Sequence, residues 1–83
     1  MNSLEQAIGR YQILKKQIYD LSVKAQSLVK EIQDEVESFL SDKDFITMDF
    51  RKVESLAREL QNLQKEYDEK SKKMEQIKST YNI

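Results

Sequence analysis

The 83-residue chain contains no cysteine, histidine, proline or tryptophan, and a single glycine, Gly9. Without cysteine there is no disulfide framework, no thiolate metal site and no thiol nucleophile. Without histidine the commonest general base and the commonest metal ligand are both missing. No nucleophile stands with a base in any recognisable pattern, so the sequence points away from an enzyme and calls for no cofactor. No apolar run approaches the roughly 18 residues of a membrane span. The opening residues, MNSLEQAIGRYQ, lack the basic segment and apolar segment of a secretory signal, so the expected location is the cytoplasm. The absence of proline and near-absence of glycine remove the usual helix breakers.

What remains is rich in Lys, Glu, Gln, Leu and Ala, the composition of an all-α chain. The apolar residues between Leu4 and Phe39 fall at Leu4, Ala7, Tyr11, Leu14, Ile18, Leu21, Ala25, Leu28, Ile32 and Phe39, and only Glu35 interrupts the alternation of three and four. A second run has the same rhythm: Val53, Leu56, Leu60, Leu63, Tyr67, Met74, Ile77 and Tyr81, with Lys70 the one polar residue in step. This heptad spacing keeps one stripe of a helix turned toward a partner. Ile8, Val29 and Val36 lie beside the first stripe and widen it, as in helices that touch two neighbours inside a bundle. Heptad-bearing chains resemble one another for physical reasons, so the pattern by itself names no family.

Between the runs lies SDKDFITMD, Ser41 to Asp49, where Ser and Asp favour turns and caps. Ser41, Asp44, Thr47 and Asp49 all qualify as the N-cap of the next helix. Ser3 followed by Gln6 reads as a capping box at the start of the first. The expected organisation is one domain over residues 1–83. Its first helix spans about 4–40, its connection about 41–48 and its second helix about 49–80, with residues 82 and 83 frayed. A short connection makes the helices antiparallel neighbours. Folding the chain there sets Ile32 near Leu56, Leu28 near Leu60, Ala25 near Leu63, Leu21 near Tyr67 and Leu14 near Met74, apolar against apolar along the seam. The expected core is therefore Leu14, Ile18, Leu21, Leu28, Ile32, Leu56, Leu60, Leu63, Met74 and Ile77. Glu35 and Lys70 are expected to lay their stems on apolar surface and reach water with their heads, and they lie too far apart in the hairpin to pair with each other.

Net charge is −1, unevenly spread. Residues 1–30 carry +3, residues 31–49 carry −6 and residues 50–83 carry +2. The acids Glu31, Asp34, Glu35 and Glu37 have no facing carboxylates and no histidine, so they read as a solvated face and not as a metal site. The lysines Lys70, Lys72, Lys73 and Lys78 are interleaved with Glu66, Asp68, Glu69 and Glu75, which weakens any case for nucleic acid. Within the first helix the charge order opposes the macrodipole. An antiparallel pair of hairpins reconciles it, because each acidic turn then lies beside the basic open end of its mate.

The expected architecture is thus an antiparallel helical hairpin that dimerises into a four-helix bundle, weakened by salt. The expected function is a protein–protein interaction module, an adaptor, regulator or inhibitor, whose partners are itself and another protein. An assembly chaperone or scaffold and an RNA-binding four-helix-bundle regulator are the alternatives. Candidate interface residues are Ile8, Val29 and Val36 on the first helix and Phe45, Ile46 and Met48 in the connection.

Overall fold

The computed structural model describes residues 3–42 and 49–83, with the side chain of Asp42 left aside. They form two helices, α1 (Ser3–Asp42) and α2 (Phe50–Tyr81), and no strand occurs among the described residues. The helices pack side by side and antiparallel: Gln17 of α1 meets Lys70 of α2, and Glu35 of α1 meets Lys52 of α2. The expected connection residues Phe45, Ile46 and Met48 lie outside the described residues. The molecule is a rod of 63 × 16 × 15 Å. Its long axis is the length of α1, since 40 residues at 1.5 Å each span about 60 Å.

α1 exceeds its expected bounds slightly, and α2 is shifted by one residue toward the C-terminus. α1 already includes Ser3, which was read as its cap, and continues through Ser41 and Asp42. Neither residue is a strong breaker, and a helix held along its whole length by a partner carries such residues at little cost. That removes Ser41 as the cap of α2. Asp49 has that role: the Lys52 N–H donates to Asp49 Oδ1 at 3.0 Å, and α2 begins at the next residue. At the other end, Asn82 adopts a left-handed conformation (φ 52°, ψ 47°), and the Ile83 N–H donates to the Lys78 carbonyl at 3.2 Å. These are the features of a Schellman-type stop, so residues 82 and 83 cap α2 where fraying was expected. Asn tolerates this backbone better than other non-glycine residues because its short side chain bonds locally.

The core is one line of contact. Leu28, Leu56 and Leu63 are buried and form its centre, with Leu21, Ala25, Ile32 and Leu60 packed against them. Ala7 is the other buried hydrophobic residue among those described. The remaining expected core residues, Leu14, Ile18, Met74 and Ile77, are half-buried. Tyr67 and Tyr81 keep step with the heptad yet are 43% and 40% exposed, because two helices cover only one flank of a large ring. No described side chain is sealed from water completely.

Leu63→Ala should lower stability by about 2–4 kcal/mol, since it removes buried volume from the centre of the seam, whereas the exposed Lys65→Ala should change it by less than about 0.5 kcal/mol. Urea titration of both variants at one fixed protein concentration measures this. Equal effects would displace the seam from where the structure puts it.

Candidate interaction surface

The two seam charges show how the two sides of the hairpin differ. Glu35 replaces an apolar residue at a position facing α2. Its Oε1 accepts the Asp49 N–H at 3.1 Å, and its Oε2 lies 3.8 Å from Lys52 Nζ. Reaching water had been expected of its head, and the structure gives it partners across the hairpin. The reason is electrostatic. The first turn of α2 carries no acid, while Arg51 and Lys52 sit there against the positive end of the helix dipole. Asp49 and Glu35 supply the missing negative charge, one from the cap and one from the neighbouring helix. Lys70 is comparable: its ammonium donates to Gln17 Oε1 at 3.1 Å and lies 3.9 Å from Glu66. With 21% of its side chain exposed, its stem does cover apolar surface as expected.

The Gln17–Lys70 and Glu35–Lys52 contacts mark a polar broad face. A shallow groove of about 380 Å³ there is lined by Arg10, Ile13, Leu14, Lys73, Gln76 and Ile77, with two cations at its edge.

The opposite broad face is different. A groove of about 540 Å³ runs along the middle of the hairpin, bounded by Leu21, Ser22, Ala25, Ala57, Gln64 and Tyr67 among others, and no charged residue lines it. Small side chains at Ser22, Ala25 and Ala57 make it concave. Steps of seven residues drift by only about 20° around a helix, so Ile8, Lys15, Val29 and Val36 continue the Ser22 row and Phe50, Ser71 and Lys78 continue the Ala57–Gln64 row, the two lysines lying beyond the groove toward the end opposite the turn. Ile8 and Val29 are exposed (39% and 52%) and Val36 is half-buried. Tyr19 and Leu40, 67% and 63% exposed, border the same row one step further out. Between Tyr19 and Leu40 this flank reads Tyr19, Ser22, Gln26, Val29, Gln33, Val36, Leu40, with no charge. The interface candidates Ile8, Val29 and Val36 thus fall on one face with the groove. On α2 the sequence shows Phe50 and Ala57 widening the stripe near its start, but it does not single out Gln64, which looks like an ordinary surface residue until the groove is seen beside it.

Two of the acids near the turn are otherwise engaged: Gln33 Nε2 donates to Glu37 Oε1 at 2.9 Å, and Glu35 is bound as described. Among the described residues no group of three or more acids converges as a cation site would require, and no helix is long and apolar enough to cross a membrane. On the outer surface of α2, Arg58 pairs with Glu54 at 2.9 Å and Lys72 with Asp68 at 3.0 Å. These exposed pairs one turn apart contribute a few tenths of a kcal/mol at most. Comparison with protein-family models, with curated proteins and with solved structures finds no match.

Glu35→Ala should destabilise the hairpin by about 1 kcal/mol, the usual worth of one hydrogen bond. Most of that loss should persist in 1 M salt, because the backbone N–H bond outlasts the half-exposed ion pair to Lys52. A loss that vanishes with salt would assign the effect to Lys52 instead.

Proposed function

We propose that this chain is a non-enzymatic protein–protein interaction module, a small adaptor, regulator or inhibitor that acts by packing its helices against a second helical layer. The observation that supports the reading is the face around Ser22, Ala57 and Gln64, whose groove no charged residue lines. It is apolar along much of its length, concave at its middle and lies directly over the seam. Monomeric soluble proteins seldom leave a continuous face of this kind uncovered. Interfaces are likewise poor in charge at their centres and polar at their rims. The four-helix bundle, with this face covered by two further helices, is the arrangement this reading favours.

Binding to RNA finds less support. Lys70 and Lys72 are engaged with Glu66 and Asp68, so the basic run does not stand as an open stripe for phosphates.

The test is retention of a stoichiometric protein, whether another copy or a different chain, by the immobilised protein at near-physiological salt, repeated with Val29→Lys. The expected outcome is retention by the unaltered chain and loss with the charge at position 29, while circular dichroism shows both helical. Retention of no protein would count against the function, and equal retention by both would move the interaction off this face.

A further inference from the structure

Resting on the interaction reading above, we infer that the second layer is another copy of this chain, laid antiparallel on the face that holds the uncharged groove, with the two-fold axis passing beside Ser22 and Gln64.

Charge selects the partner and its direction. Residues 3–16 and 70–83, which lie together at the open end, carry seven bases against two acids; residues 31–42 and 49–54, at the turn end, carry seven acids against two bases. The hairpin is therefore a long electric dipole, and the best complement to it is the same dipole reversed. A parallel pair would set basic end on basic end, which costs free energy rather than supplying it.

Geometry then fixes the alignment. A face-to-face pair with its turns at opposite ends stacks α1 on α1 and α2 on α2, each antiparallel to its mate. Ser22 lies at the middle of α1 and Gln64 near the middle of α2, so full overlap centres on that layer. It is also where Ser22, Ala25 and Ala57 leave room for close approach. From this centre Val36 of one copy falls beside Ile8 of the other, Val29 beside Lys15, and Leu40 beside Leu4. On α2, Lys78 falls over Phe50 and within a turn of Glu54, a cation placed against both a ring and an acid.

The area agrees. The chain exposes 6792 Å², against roughly 5200 Å² for a compact monomer of its mass. The difference exceeds the ~800 Å² that each partner contributes to a standard interface.

Because the chain has no cysteine, one introduced thiol reports on one position. Ser22→Cys, Val29→Cys and Lys24→Cys, the last on the polar side of α1, are each treated with a short thiol-to-thiol cross-linker at micromolar concentration and near-physiological salt. The expected result is a covalent species of twice the 9.9 kDa chain mass in high yield from Ser22→Cys. Val29→Cys should give little, since the two copies of position 29 are about 21 Å apart along the helix axes, and Lys24→Cys should give little as well. Raising salt should lower the Ser22→Cys yield, as the ends lose their attraction. Efficient linkage at Val29 or Lys24 in place of Ser22 would overturn the alignment. A folded chain that sediments as a monomer at this concentration would overturn the self-pairing, and if that monomer still retained a different protein through position 29, the interaction function would stand without it.

Discussion

Two helices lying side by side can shield only the line along which they touch. Every other feature of this hairpin follows from that limit. The seam from Ala7 to Phe39 and from Val53 to Ile77 supplies the attraction, and its best-covered leucines, Leu28, Leu56 and Leu63, still keep 7–8% of their surface. A seam of this depth leaves little surplus over the entropy lost in ordering the chain. On the proposed function, additional stabilisation comes from a second layer laid over one of the broad faces, and the two faces are unequally suited to that. One is crossed by Gln17–Lys70 and Glu35–Lys52 contacts. The other has no charge in its groove.

The turn end shows how a locally unfavourable arrangement becomes favourable in the folded hairpin. Taken alone, α1 ends without a base in its last turn and α2 begins without an acid in its first, so neither helix has the charge its dipole favours at this end. Antiparallel packing brings these two ends together. Glu35 of α1 then lies beside Lys52 in the first turn of α2 and reaches the Asp49 backbone to complete the cap. The polar residue that breaks the heptad in α1 is the one that ties down the start of α2. It also fixes the register, because sliding the helices by one turn would separate Glu35 from Asp49 and Gln17 from Lys70 together.

The hairpin and its register were legible in the sequence because they rest on one periodic signal carried by two stretches. Ala25 meets the Leu28–Leu56–Leu63 cluster, and Gln17–Lys70 falls between the expected Leu21–Tyr67 and Leu14–Met74 layers. Local and spatial details were less legible. Four residues between Ser41 and Asp49 had the chemistry of a cap, and the helix propensity of Ser41 and Asp42 differs too little from that of their neighbours to exclude them. The partner of Glu35 is distant in sequence, so no spacing rule reaches it. Asn82 looks like any polar residue near a helix end until its backbone turns left-handed. The widened stripe was visible at Ile8, Val29 and Val36 in α1 and at Phe50 and Ala57 in α2, but the polarity of Ser22, Gln61 and Gln64 conceals that they line a groove.

The central claim is that the fold depends on covering the face that holds the uncharged groove, and thermal unfolding followed across a hundredfold range of protein concentration tests it most directly. If a second copy provides that cover, mass action links folding to association and the midpoint rises steadily with concentration. A sharp, cooperative transition whose midpoint stays fixed across the whole range would contradict the account, since it would mean that the two-helix hairpin is stable with this face open to water.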